Sequence, residues 1–195
     1  PAVGSDVWSH EFDARFGAAG LHVQRGLQQA SGVLPMIVAA VYPYGAFPMT
    51  RGWAERQSLG ATLVDYAKNE GTDTELFESF EGAARRVVAG GATAKRTSQA
   101  TSDWFDATAD AVLQSVTQAE RAFRPGRGSA TMATARVNEF DATMTDLRVL
   151  AGLARFHARR SRAAVSYNIF KQTGDLAAFD AALAGERQAV DTWRA

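Results

Sequence analysis

The sequence predicts an all-α fold, an irregular multi-helix bundle with a long central helix and one Pro/Gly/aromatic-rich loop. Three observations carry this reading. Apolar residues recur at helical spacing along most of the chain, and no run alternates with period two for long enough to make a convincing strand. The longest helical pattern, roughly 134 to 173, becomes apolar nearly all round in its second half, as a helix at the centre of a bundle must.

Taken in order, Ser5 fits an N-cap for a short helix through Phe16, with Val7, Trp8, Phe12 and Phe16 on one face and Gly17 as its stop. A second helix is expected from about Leu21 to Val41, bent between Pro35 and Ala40 because proline removes a backbone donor. The segment Tyr42-Pro-Tyr-Gly-Ala-Phe-Pro-Met-Thr-Arg-Gly-Trp53 holds two prolines and two glycines, which forbid a long regular element. Shorter helices are expected at about 61–69 and 73–89, the latter opened by a Thr72/Glu75 capping box and closed by Gly90-Gly91.

From Ser98 to Phe123, the positions Trp104, Thr108, Ala111, Val112, Ser115, Val116, Ala119 and Phe123 trace one helical stripe. Arg124-Pro-Gly-Arg-Gly-Ser129 reads as an exposed turn. The long helix follows, with Val137, Phe140, Met144, Leu147, Ala151 and Ala154 on its first face and Leu150, Leu153, Phe156, Ile169 and Phe170 joining later. At Thr173-Gly-Asp175 the glycine is suited to a left-handed C-cap and the aspartate to capping the next helix, which should fold back antiparallel.

The 195 residues include 21 basic and 21 acidic side chains, no cysteine, 38 alanines and 5 prolines, the profile of an ordinary globular unit. Lack of cysteine excludes disulfides, thiolate zinc sites and cysteine nucleophiles. Zero net charge argues against nucleic acid as a partner. No apolar stretch approaches 18 residues, so no membrane span is expected. The neutral total conceals a dipole: residues 55–120 hold 11 acids and 6 bases, whereas 121–162 hold 3 acids and 9 bases. Either the two segments neutralise each other, or the basic one meets an anionic ligand or an acidic neighbouring domain. The chain opens at Pro1 without a methionine or a signal-peptide pattern, and its last amphipathic run reaches Ala195 without a stop signal. The expectation is a single helical domain over 1–195, excerpted from a longer chain.

Chemistry is most legible in the aromatic loop. Tyr42, Tyr44, Arg51 and Trp53 combine flat apolar faces, polar donors and a charged fork, a mixture suited to gripping a sugar ring. The competing reading packs these aromatics, with Phe47, into the end of the bundle. His10, His22 and His157 lack metal-ligand spacing, and no nucleotide loop or serine-hydrolase signature occurs, so neither metal nor cofactor is expected. His157 lies among Arg155, Arg159, Arg160 and Arg162, cations that should disfavour its charged form, although such a histidine is more often packed or hydrogen-bonded. Glycosidases place two acids about 5 to 9.5 Å apart across a cavity, and neither Glu11, Asp13 nor Glu55 is assignable to such a pair.

The opening Asp6-Val-Trp8-Ser-His-Glu11-Phe12-Asp-Ala-Arg15-Phe16-Gly17 resembles the segment that follows the catalytic barrel in several large bacterial polysaccharide-acting glycoside hydrolases. In that setting, as in alpha-glucuronidases and alpha-N-acetylglucosaminidases, a W-x-x-E-F-x-x-R-F-G-like helix begins a helical region. Leu153-Ala-Arg-Phe156-His157 and Tyr167-Asn-Ile-Phe170-Lys-Gln-Thr173-Gly174-Asp175 are similar to helical hairpins of such proteins. The resemblance implies a helical accessory domain beside a barrel in a secreted or periplasmic enzyme, sharing a carbohydrate substrate with that neighbour. The catalytic acids would lie on the barrel. The alternative is a non-catalytic structural or oligomerisation module.

Overall fold

A computed structural model describes residues 5–41, 62–124 and 130–192, with the backbone alone for residues 5, 6 and 130–132. The fold is an all-α multi-helix bundle, and no strand occurs among the described residues. The helices are α1 (Ser5–Phe16), a 3-10 turn (Gly17–Ala19), α2 (Gly20–Ala30), α3 (Val33–Ala40), α4 (Leu63–Tyr66), α5 (Phe80–Ala89), α6 (Ser98–Ala122), α7 (Ala130–Thr173) and α8 (Leu176–Thr192). No helix among the described residues is long and apolar enough to cross a membrane. The chain divides into two compact units, Pro1–Val33 with Ala107–Gly152, and Leu34–Asp106 with Leu153–Ala195.

In the first unit, α1 ends where expected, and Gly17 takes a positive φ of 56°. The predicted second helix is interrupted, but earlier than its proline suggests. The break falls at Ser31-Gly32, so Pro35 sits in the first turn of α3, where a missing N–H forfeits no intrahelical bond. The aromatic core stacks Phe123 face to face on Phe140 at 3.9 Å, with the Phe16 ring 6.1 Å from Phe140 edge-on. Gly26 lets α2 approach Leu147, since a Cβ there would lie 2.9 Å from its Cδ1. Arg148 pairs with Glu120, and Arg15 bridges Glu11 and Glu139.

In the second unit the expected helix over 73–89 is half present. Residues 73–79 instead form turns and an isolated parallel bridge, in which Glu78 N–H donates to Arg96 O at 3.0 Å and Arg96 N–H donates to Leu76 O at 2.7 Å. The Thr72/Glu75 capping box does not form. Thr72 donates its hydroxyl to Val38 O, and the α5 N-cap is Ser79, whose Oγ accepts from Gly82 N–H. A non-local strand-like contact wins over local helix propensity here, because the chain must span from α4 to α5 while satisfying its backbone. Gly90 closes α5 in the left-handed region. The helix expected at about 61–69 is only Leu63–Tyr66, capped by Thr62.

The buried stripe of α6 is Ser98, Thr101, Ser102, Phe105, Ala109, Val112, Ser115, Val116 and Ala119. Over its first half this lies one position beyond the expected Trp104 and Thr108, which are half-buried. In α7, Phe140, Met144, Leu147, Ala151 and Ala154 are buried as predicted, and no residue from 150 to 170 is exposed. The α7–α8 turn forms as expected: Gly174 has φ 74°, a conformation cheap only for glycine, and Asp175 Oδ1 accepts from Ala177 N–H. α8 then returns antiparallel to α7. Phe179 meets Phe170, Gly185 lies against Ala163, and Glu186 reaches Arg160.

Candidate functional site

The four residues the sequence nominates for substrate binding, Tyr42, Tyr44, Arg51 and Trp53, lie outside the described residues, as do Phe47 and Glu55. Their flanks are described and are tied down. At the end of α3, Thr72 N–H donates to Val38 O and Asp73 N–H to Ala39 O, while Gly71 packs so tightly that a Cβ would stand 1.9 Å from Ala39 O. At the other flank, α4 is pinned through Tyr66 and Ala67, whose carbonyl accepts from Asn168 Nδ2 at 2.9 Å.

The densest described polar chemistry surrounds that second pin. On α7, residues 157, 160 and 161 occupy positions i, i+3 and i+4, so His157, Arg160 and Ser161 project from one face. Tyr66, fully buried, brings its hydroxyl to 2.9 Å from His157 Nδ1 and 3.2 Å from Ser161 Oγ. The phenol ring stacks on Phe80 at 5.4 Å and on the imidazole at 5.9 Å. Phe105 and Phe156 close other sides of the histidine. Arg160 lies 4.9 Å over the Tyr66 ring and 5.2 Å over Phe156, and forks onto Glu186 with bonds of 3.0 and 2.8 Å.

This environment sets the protonation state. Burial, and secondarily the Arg160 charge, push His157 down to about 3, so the imidazole is neutral at neutral pH. Of the neighbouring cations anticipated from the sequence, Arg160 contributes, but burial is the larger cause. Ser161 bonds to the phenol and not to the imidazole, so the histidine is not placed to take its proton, as an activated nucleophile requires. Tyr66, His157 and Ser161 each have at most 3% of their surface exposed. The arrangement fastens α4, α7 and α8 to one another.

Sequence reasoning singled out His157 but missed Tyr66, Ser161, Arg160 with Glu186, and Asn168. The i, i+3, i+4 spacing was available to find one half of the network. Its other half, in α4, lies about ninety residues away in the chain. His10 is exposed on α1, His22 is half-buried on α2 with Nδ1 buried and unbonded, and no group of three or more metal-ligating side chains occurs among the described residues. Part of the charge dipole is neutralised internally: Arg162 bonds Asp106 at 2.7 Å and Asp103 at 2.8 Å, and Arg148 pairs with Glu120.

Comparison with protein-family models, with curated proteins and with solved structures finds no match to this chain.

Proposed function

We propose that this chain is a non-catalytic helical module accessory to a carbohydrate-acting catalytic domain, to whose sugar-binding cleft it lends Tyr42, Tyr44, Arg51 and Trp53. The observation that carries the non-catalytic part is the sealed network around His157: the best-equipped acid–base residues described are bonded to one another, neutral at the histidine, and buried. The residues that carry the resemblance have structural places in the fold. Among them, Phe16 packs on Phe140, His157 and Asn168 hold α4, and Gly174 with Asp175 builds a turn. Trp8 and Val7 differ in being more than half exposed, as suits a surface presented to a neighbouring domain. The carbohydrate part rests on the resemblance and on the composition of the loop, whose two flanks are anchored.

The test is kinetic and uses the full-length protein. Tyr44→Ala and Arg51→Ala are expected to raise KM or lower kcat on oligosaccharide substrates with the melting temperature nearly unchanged. Unaltered kinetics in both variants overturn the reading. A second reading, a purely structural or oligomerisation module, is favoured by the exposed apolar stripe of α8, Leu176, Leu183 and Val190. Under it Trp53→Ala lowers stability, by about 3–5 kcal/mol for a fully buried tryptophan, and leaves turnover alone.

A further inference from the structure

α8 uses one side of its surface to pack on α7, through Phe179, Ala182, Gly185, Glu186 and Ala189, which are buried or half-buried. A separate line carries Leu176, Leu183 and Val190, 69%, 38% and 40% exposed. Their spacing of seven residues repeats every two turns, so the three side chains form a straight ridge about 21 Å long. Beside the ridge stand Asp180 and Arg187, also seven apart and exposed. That separation, about 10.5 Å along the axis, is too long for them to pair within the helix. Neither has a hydrogen-bond or ion-pair partner among the described residues.

We infer that this face of α8 is a self-association surface whose occupant is α8 of a second copy, packed antiparallel about a two-fold axis at Leu183. An isologous contact must be self-complementary, with each residue's partner returning the same contact. In this register Leu183 meets its own copy and Leu176 faces Val190 of the second copy. Asp180 comes within one residue, about 1.5 Å of axial rise, of the level of Arg187 of the second copy. The two-fold makes that ion pair twice. A parallel arrangement would instead set Asp180 level with Asp180 and Arg187 level with Arg187, on opposite sides of the ridge, and form neither ion pair, so the charge pattern selects the antiparallel one. The exposed Ala177 and Ala184 flanking the charges are small enough to let a second helix approach.

The experiment measures the mass of the 195-residue chain by sedimentation equilibrium, with far-UV circular dichroism as the folding control. The wild type should weigh twice 20.9 kDa, and Leu183→Glu should halve that mass with helicity unchanged. Asp180→Arg and Arg187→Asp should each weaken association at least tenfold, and the double variant should restore it, because the swapped charges meet again across the two-fold. A monomeric wild type at the highest soluble concentration overturns the inference. So does a dimer that survives Leu183→Glu, or a double variant no better than the singles, which would place another surface or another partner on the ridge. Should Leu183→Glu lose helicity, the charge-swap series decides alone. The dimer does not depend on the accessory role, whose kinetic test it leaves unaffected.

Discussion

The Tyr66 hydroxyl and His157 Nδ1 meet at 2.9 Å across ninety-one residues of sequence, inside a cage of Phe80, Phe105 and Phe156. This bond fastens a four-residue helix to the long α7. Tyr66→Phe removes the hydroxyl while keeping the ring, and with it the bonds to both His157 and Ser161. Loss of a buried hydrogen bond should lower stability by about 1–3 kcal/mol, read as a shift of the urea midpoint at constant m. A midpoint unchanged within error would mean the network adds nothing to the fold.

The histidine also predicts a pH dependence. In the unfolded chain His157 takes up a proton below its ordinary value of 6.5, whereas in the folded chain it does so only below about 3. Between these values the unfolded state binds more protons. Its contribution is therefore fully present above about pH 6.5 and falls as the pH drops toward 3, by up to about 1.4 kcal/mol per unit. Urea unfolding of the wild type and His157→Gln between about pH 7 and pH 4 isolates this slope. Identical slopes in the two proteins would assign the acid sensitivity to other groups.

Arg160 and Glu186 tie α7 to α8 with two bonds, and Arg160 is nearly fully buried. Glu186→Gln or Arg160→Ala should cost about 3 kcal/mol, the lower end for a broken buried pair, because Glu186 keeps about a quarter of its surface in water. The paired replacement Arg160→Met with Glu186→Leu should cost less than either single change, since it strands no charge. Thermal unfolding of the three variants checks the order, and a double variant worse than both singles contradicts it.

Two glycines separate steric clash from backbone strain. At Gly71 a Cβ would stand 1.9 Å from Ala39 O, and its nearest atoms are all backbone of Ala39 and Ala40, with nothing flexible to yield. Gly71→Ala should therefore cost about 3 kcal/mol or more. At Gly90 nothing lies within 4 Å, but φ is 64°, so Gly90→Ala should cost only about 1 kcal/mol. Equal midpoints for the two variants would show that the α3 end yields more readily than its packing indicates.

What the sequence determined by itself is local. The extents of α1, α6 and α7, the glycine stops at 17, 90 and 174, and the Asp175 cap are legible because a helix and its caps are made within a few residues of one another. The enclosed second half of α7 was legible too, since its apolar residues run round the whole helix. Tertiary structure decided what propensity could not. The chain over 73–79 leaves the helical path because Arg96 offers its backbone to residues 76 and 78. The break before Pro35 comes early because proline belongs in a first turn. His157 was visible as a histidine among arginines, yet Tyr66, the residue that completes it, lies on a helix too short to leave a periodic signal. Its partner is chosen by packing at a distance in sequence, and no local pattern encodes that choice.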